Sequence, residues 1–269
     1  MNRSLSPIVA ALLFMLVSAC SSTHVDLDAW RASEMVARPS AERGTLAADL
    51  AHVDALRAER RLADARSLAL ALAAEQPADA SVLSAASRAE SDALVMFAER
   101  EKDVRNAAAA SAADFAERAE QLGATSAADR AQLAWALGAS THLRPMGERA
   151  AHAHRTLAVA QSVLADEPEQ PTALATIAIV NLRLETLPWI AQVMASGLPE
   201  SSLDDAVAYA RRAVAAEPSR ENRLVLAKCL RAAKDDHAAR VVLEEALAAP
   251  AKFARDDELA DDMRAEFEK

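Results

Sequence analysis

The sequence reads Ala213-Val-Ala-Ala-Glu-Pro218 at the end of an amphipathic segment, and the same kind of phrase occurs three more times. Each of the other phrases also joins the end of an amphipathic segment to a proline: Leu72-Ala-Ala-Glu-Gln-Pro77, Val163-Leu-Ala-Asp-Glu-Pro168 and Ala246-Leu-Ala-Ala-Pro250. Proline ends a helix because it lacks the backbone N–H that the hydrogen-bond ladder needs. A recurring helix end predicts a chain built from repeated helical units.

The spacing of these prolines is typical of the tetratricopeptide repeat, a pair of antiparallel helices of about 34 residues. Pro218 and Pro250 lie 32 residues apart, whereas Pro168 and Pro218 lie 50 residues apart. The longer interval predicts one repeat plus an insertion, which we place at about 187–201.

The two helices of such a repeat cross closely and need a small side chain at the crossing. Counting twelve residues back from each proline gives three alanines and a threonine: Ala65, Thr156, Ala206 and Ala238. An alanine-rich chain often has alanine at any chosen position, so the recurring helix end is the stronger evidence.

Composition favours helices along the whole chain. The sequence is rich in alanine and leucine, contains only five glycines, and is 3% aromatic. Apolar residues recur with the helical period, as at Leu46, Leu50, Val53 and Leu56, and no stretch alternates as a strand would. We therefore predict an all-α fold, a tetratricopeptide-like right-handed α-solenoid of helical hairpins over residues 45–269.

The N-terminus has the features of a bacterial lipoprotein signal. Arg3 precedes an uncharged apolar stretch, Ile8 to Val17, which is shorter than the roughly 20 residues of a permanent membrane span. Val17-Ser-Ala-Cys20 then resembles the lipobox at which lipoproteins are cleaved and acylated. We predict that residues 1–19 are a signal peptide and that Cys20 carries the lipid, such as palmitate. The alternative is an uncleaved apolar N-terminus with an incidental cysteine.

Residues 20–44 are expected to be a flexible tether between this lipid and the helical domain, because they are polar and show no helical period. An acidic residue after the lipidated cysteine commonly favours the inner membrane, so Ser21 favours the outer membrane. The predicted location is therefore the bacterial cell envelope, facing the periplasm. With Cys20 acylated, Cys229 has no intramolecular disulfide partner and is expected to be a buried, inert thiol.

The formal net charge of −10 argues against nucleic-acid binding, since phosphate backbones require a concentrated basic face. Motifs for catalysis or cofactors are also missing, and we expect no cofactor, no metal site and no enzymatic activity. The five glycines are too far apart for a nucleotide-binding loop. His152 and His154, two residues apart, point to different faces of a helix. The acidic cluster at 256–262 is predicted to begin a final helix rather than to form a calcium loop.

Two stretches of the C-terminal half are distinctive: Leu187-Pro-Trp-Ile-Ala-Gln-Val-Met-Ala-Ser-Gly-Leu-Pro-Glu-Ser-Ser-Leu-Asp-Asp-Ala-Val-Ala-Tyr-Ala-Arg-Arg-Ala-Val-Ala-Ala-Glu-Pro218 and Leu224-Val-Leu-Ala-Lys-Cys-Leu230. Together they resemble the regulator of microtubule dynamics family of tetratricopeptide proteins, whose members carry a similar tryptophan-containing insertion. The resemblance covers about residues 150–250, although Tyr209 stands alone where relatives often have two aromatic residues. It implies the fold and a binding role, but no microtubule function in a bacterial envelope.

The first helix of each repeat lines the concave groove of a tetratricopeptide array. The predicted groove positions come from two such helices: Thr172, Thr176, Ile179 and Arg183 in one, and Asn222, Leu226 and Cys229 in the other. This mixture of polar and apolar side chains suits an extended peptide or a helix. The alternative is that the same face packs on a neighbouring helix. Trp189, in the predicted insertion, either caps the core or forms an exposed patch for a partner.

These features predict a membrane-anchored periplasmic lipoprotein that acts as a non-catalytic scaffold for other envelope proteins. The alternative function is an accessory lipoprotein of a periplasmic solute transport system. The two hypotheses differ in what they require of the structure. A scaffold needs an open groove, whereas a transport accessory needs a pore or an enclosed apolar cavity.

Overall fold

The computed structural model describes residues 44–59, 61–96, 102–188 and 197–249, together with Arg264. This part of the chain contains ten α-helices and no strand. A short 3-10 helix covers Thr141–Leu143. The α-helices are α1 Leu46–Ala58, α2 Leu62–Glu75, α3 Ala80–Met96, α4 Lys102–Gln121, α5 Ala127–Ser140, α6 Met146–Asp166, α7 Pro171–Glu185, α8 Leu203–Ala216, α9 Arg220–Ala232 and α10 Asp236–Ala248.

The helices stack as five consecutive hairpins. Each helix packs on the next one along the chain, and each odd-numbered helix also packs on the following odd-numbered helix. Short connections make neighbouring helices antiparallel. The odd-numbered helices therefore form one layer of a solenoid and the even-numbered helices the other, which confirms the predicted all-α solenoid of helical hairpins.

The predicted prolines do mark the ends of even-numbered helices. Pro77, Pro168 and Pro218 each follow the last turn of α2, α6 and α8 within two residues. Pro250 lies outside the described residues, just beyond the end of α10. The remaining even-numbered helix, α4, ends instead at Gly123, whose φ of 93° allows the amide of Ala124 to donate to the carbonyl of Ala119 at 2.9 Å.

The sequence does not signal the turn between α9 and α10, because it contains neither proline nor glycine. Lys234 adopts the left-handed conformation there, with φ of 64°. Its amide donates to the carbonyl of Arg231 at 2.9 Å, and the amide of Asp235 donates to that of Leu230 at 2.9 Å. These two bonds form a Schellman motif, which ends α9 without a glycine.

The predicted small residues lie at close helix crossings. Ala65, Thr156 and Ala206 are buried, and Ala238 is half-buried. Thr156 of α6 faces Gly138 of α5, where an added Cβ would meet the Thr156 methyl group at 3.5 Å. Helix α4 also relies on small side chains for close packing, because it buries seven alanines against its neighbours.

Polar side chains also lie in the interior of the first helices. Arg66 of α2 donates to Glu90 of α3 through Nε at 3.1 Å and Nη2 at 3.4 Å, and the Ser111 hydroxyl of α4 donates to the same carboxylate at 3.2 Å. The side chains of Arg66 and Glu90 are 4% and 0% exposed. This buried network ties three successive helices together.

Several predicted features lie outside the described residues. They are the signal peptide, Cys20 with most of the tether, Trp189 in the insertion, and the acidic cluster at 256–262. The insertion itself is bracketed by described residues, since α7 ends at Glu185 and α8 begins at Leu203.

Candidate functional site: the concave groove

The odd-numbered helices line a half-open cavity of about 730 Å³. Side chains from α1, α3, α5, α7 and α9 all reach it, and residues of the first turns of α4 and of the 3-10 helix also line it. We call this surface the concave groove. Its floor includes the half-buried side chains of Trp135, Ile179 and Leu182, so the groove offers apolar contact area as well as polar groups.

Four of the predicted groove residues line this cavity: Thr172, Ile179, Arg183 and Asn222. Thr176 and Leu226 do not. Thr176 is 2% exposed, lies close to Gly138 of α5, and donates its hydroxyl to the carbonyl of Thr172 at 2.8 Å. Leu226 is 6% exposed and belongs to the apolar core between α7, α8 and α10.

The prediction for α9 is displaced by one residue. The cavity is lined by Glu221, Val225 and Lys228 rather than by the predicted series that includes Leu226 and Cys229. One residue rotates a helix position by about 100°, which moves Leu226 and Cys229 from the groove into the core. Asn222 remains at the boundary, where its amide donates to the carbonyl of Glu217 at 2.8 Å.

Sequence reasoning predicted Arg183 but missed other basic residues of the groove. Lys102 and Arg105 come from the first turns of α4, and His142 comes from the 3-10 helix after α5. One signal was available, because the helix dipole disfavours cations near a helix N-terminus. Basic residues in that position, as in Lys102-Asp-Val-Arg105, call for an explanation other than helix stability.

One end of the groove carries a neutralised ion pair. Arg57 of α1 donates its Nε to Asp92 of α3 at 2.5 Å, and its Nη2 lies 3.4 Å from the other carboxylate oxygen. Burial lowers the pKa of Arg57, but the hydrogen bond and charge of Asp92 outweigh burial and raise it. This end of the groove therefore presents little net charge.

Another part of the groove gathers basic side chains from α4, the 3-10 helix and α7. Arg183 of α7 donates its Nη1 to the carbonyl of Gly138 at 3.1 Å. Burial lowers the pKa of Arg183, and the positive charge of Arg105 lowers it further. Burial also lowers the pKa of His142, followed by the charge of Arg183 and, more weakly, that of Lys102. These four side chains, Lys102, Arg105, His142 and Arg183, are called the cationic end.

The cysteine and the histidine pair offer no reactive group. Cys229 is fully buried, and burial raises the pKa of its thiol to about 12, so it carries no thiolate at neutral pH. His152 is buried and donates its Nε2 to the carbonyl of Leu137 at 3.0 Å, whereas His154 is exposed and bonds the carbonyl of Gly197 at 2.8 Å. The described residues hold no group of three His, Cys, Asp or Glu side chains placed to bind a metal ion.

No helix in the described part of the chain combines the length and apolarity that a bilayer crossing requires.

Comparison with known proteins supports the helical-repeat architecture. The family model described as Regulator of microtubule dynamics protein 1-3 matches residues 49–269, well beyond the 150–250 segment that carries the resemblance in the sequence. No curated protein sequence matches the chain significantly.

Among solved structures, the chain is similar to a thermophilic tetratricopeptide-repeat protein of Thermus thermophilus, with a TM-score of 0.56 and 17% sequence identity. The alignment covers 81% of this chain and 96% of that one. At this identity the likeness concerns the fold, and it confirms the tetratricopeptide architecture predicted from the proline spacing.

Proposed function

Because the chain belongs to the regulator of microtubule dynamics family and has a tetratricopeptide-type fold, we propose that it is a non-catalytic scaffold that binds a segment of a partner protein in the concave groove. The observation that carries this proposal is the groove itself, to which all five odd-numbered helices contribute side chains. A surface assembled from five successive repeats suits an elongated ligand.

The size and lining of the groove favour a peptide segment. Its volume of about 730 Å³ falls within the range of about 300–1,000 Å³ that is common for ligand-binding clefts, and can hold several side chains. Trp135, Ile179 and Leu182 can contact the apolar residues of such a segment, while the charged rim can orient it. The half-open shape also suits a scaffold better than the enclosed cavity of a solute transport accessory.

The proposal includes a membrane anchor, which rests on the sequence alone. The lipobox ending at Cys20 and the polar tether of residues 20–44 would hold the helical domain near a bacterial membrane, with the outer membrane favoured by Ser21. Confinement by a short flexible linker gives an effective concentration on the order of millimolar. At that concentration, weak binding is enough to hold a partner. The partners would then be other envelope proteins.

Photocrosslinking in intact cells tests the binding surface. A photoreactive amino acid at Ile179 samples the groove, and the same amino acid at Val241 is a matched control, because Val241 is an exposed aliphatic residue on α10 in the opposite layer. We expect discrete adducts, identifiable by mass spectrometry, from position 179 and not from 241. Equal adducts from both positions would exclude the groove as the binding surface. A transporter subunit as the principal adduct would favour the transport alternative.

Metabolic labelling with a fatty-acid analogue tests the anchor separately. The full-length chain should be labelled, and the Cys20→Ala variant should not. Ser21→Ala is a suitable control, since it changes the next residue and leaves the cysteine intact. Equal labelling of the full-length chain and Cys20→Ala would remove the anchor from the proposal and leave the groove unaffected.

A further inference from the structure

The cationic end of the groove brings together side chains from three separate segments of the chain. Lys102 and Arg105 lie on α4, His142 on the 3-10 helix and Arg183 on α7, and all four line the same cavity. These side chains are close enough to affect one another's pKa. The pKa of Arg183 is lowered by burial and then by the charge of Arg105. The pKa of His142 is lowered by burial and then by the charge of Arg183. Like charges held together in this way repel one another.

This arrangement is unusual in an acidic chain, which has 40 acidic residues against 30 Lys and Arg. Arginines elsewhere find carboxylates: Arg155 binds Glu117 at 2.5 Å and Glu120 at 2.8 Å. Within the described residues, Lys102, Arg105 and Arg183 form no ion pair. Lys102, His142 and Arg183 are themselves exposed. Charges of one sign gathered in a concave site nevertheless attract anions more strongly than isolated surface charges do.

Two side chains of the cationic end, Arg183 and His142, are held in place by hydrogen bonds. Arg183 is tethered by its bond to the carbonyl of Gly138 at 3.1 Å. His142 donates its Nε2 to the Asn106 side-chain oxygen at 2.8 Å. Arg149 fixes the 3-10 helix, because its Nη2 donates to the carbonyl of His142 at 2.8 Å and its Nε to that of Arg144 at 2.9 Å. Side chains fixed before binding lose less conformational entropy when a ligand arrives.

We propose that the cationic end binds the acidic side chains of the partner segment in the groove, so that the scaffold selects segments with Glu or Asp next to bulky apolar residues. This inference rests on the proposed function and adds the chemistry of the partner. The apolar floor formed by Trp135, Ile179 and Leu182 lies in the same cavity as the cations. A segment that pairs carboxylates with apolar side chains therefore matches both features.

The rest of the groove favours a peptide over a uniform polyanion. Asp92, Glu217 and Glu221 line the same cavity, and the chain as a whole carries a net charge of −10. A nucleic acid or an anionic membrane surface would meet these negative charges along its whole length. A short acidic segment can place its carboxylates at the cationic end alone.

Fluorescence anisotropy with purified protein tests the proposal. The probe is a labelled peptide of about ten residues in which glutamates alternate with leucine and phenylalanine, and its counterpart has glutamine at every glutamate position. We expect the glutamate peptide to bind at least about tenfold more tightly than the glutamine peptide, and expect this preference to weaken as salt is added. Equal affinities for the two peptides would overturn the proposal.

Two charge reversals locate the binding. Arg183→Glu should weaken binding of the glutamate peptide by about tenfold or more. Arg211→Glu makes the same charge change at an exposed position of α8 in the other layer, and should leave the affinity within about twofold. Arg183→Gln, which removes the charge and keeps a polar side chain, guards against misfolding of the glutamate variant. Equal losses in the Arg183 and Arg211 variants would refute a role for the cationic end.

The pKa of His142, measured by NMR, gives a further readout. A carboxylate bound at the cationic end favours the protonated imidazole, so the pKa of His142 should rise on addition of the glutamate peptide. A structural role of Arg183 alone would not cause this shift.

Stronger binding to vesicles of phosphatidylcholine and phosphatidylglycerol than to the peptide, lost in Arg183→Gln, would assign the site to lipid and reject the peptide.

These outcomes remain separable from those of the proposed function. Loss of the acidic preference with crosslinking at Ile179 preserved would overturn only the inference about partner chemistry. Loss of crosslinking at Ile179 together with loss of peptide binding would overturn the scaffold itself.

Discussion

The two halves of the solenoid satisfy their buried polar groups in different ways. In α1–α5, buried side chains bind one another across helices, as Arg66 does with Glu90. The amide of Gln132 on α5 likewise donates to the hydroxyls of Ser87 at 3.0 Å and Ser91 at 2.8 Å on α3. In α7–α10, the buried side chains of Asn181, Arg220 and Asn222 donate to backbone carbonyls.

The carbonyls used in the second half are mostly close in sequence. The amide of Asn181 donates to the carbonyl of Ile177 at 2.9 Å on its own helix, and that of Asn222 donates to Glu217 at 2.8 Å in the preceding turn. Arg220 reaches further, because its Nη2 donates to the carbonyls of Leu247 at 3.1 Å and Ala249 at 2.7 Å at the end of α10. The first half also contains buried side chains that bind each other. Removing one member of such a pair leaves the other in the interior without that partner, which lowers the stability of the fold.

The largest expected effect is that of Glu90→Ala. This substitution removes the carboxylate that the buried Arg66 guanidinium binds, and should lower the free energy of unfolding by about 3–5 kcal/mol. Urea denaturation followed by circular dichroism measures the change. The double variant Arg66→Met with Glu90→Leu removes both charges and should recover most of the loss. A loss below about 1 kcal/mol for Glu90→Ala would show that the pair behaves like a surface ion pair, and would erase the contrast between the halves.

In the second half the matched test uses adjacent residues of α9. Leu226→Ala removes a core side chain that is 6% exposed, and should cost about 2–5 kcal/mol. Val225→Ala, at the half-buried groove position, should cost less than about 1 kcal/mol. The same denaturation experiment compares them. A larger loss for Val225→Ala than for Leu226→Ala would indicate that Val225 lies in the core and Leu226 in the groove, as the sequence analysis predicted for Leu226.

Acidic pH is expected to weaken the junction of the two halves. Burial lowers the pKa of His152 and of His142 from the ordinary value of 6.5. Protons therefore bind more readily to the unfolded chain, so stability is full above pH 6.5, falls as the pH drops through the lowered pKa values, and then levels off. Thermal melting from mildly alkaline to acidic pH should show this slope, and His152→Gln should reduce it. A stability that rises on acidification over this window would contradict the lowered pKa values of these imidazoles.

The smallest expected effect concerns the turn between α9 and α10. Lys234 has a φ of 64°, a conformation that is about 1 kcal/mol less favourable for residues with a Cβ than for glycine. Lys234→Gly should therefore raise the free energy of unfolding by up to about 1 kcal/mol. Lys234→Ala keeps the Cβ and serves as the control, with no gain expected. An equal gain in both variants would trace the effect to the lysine side chain rather than to the backbone.

The second half of the fold could be predicted from sequence because its signals are local. Proline at the ends of α6 and α8 indicated the repeat length, although the helical spacing of α9 wrongly assigned Leu226 to the groove instead of the core. The first half could not be predicted in the same detail. Ser87, Glu90 and Ser91 of α3 look like a solvent-facing stripe, and only their partners on other helices explain why they are buried.

The candidate site was predicted in part for related reasons. The groove face of α7 followed from helical spacing, which correctly placed Thr172, Ile179 and Arg183 in the cavity. The cationic end was missed because Arg105 and Arg183 are 78 positions apart in the sequence, and only the packing of α4 against α5 and of α5 against α7 brings them together.

Amide hydrogen exchange of the protein bound to its crosslinked partner tests the central claim most directly. If the concave groove is the binding surface, protection should increase in α5, α7 and α9, and at the start of α4 near Arg105. The outer helices α6, α8 and α10 should exchange as they do in the free protein. Protection confined to those outer helices, with α5, α7 and α9 unchanged, would contradict the account.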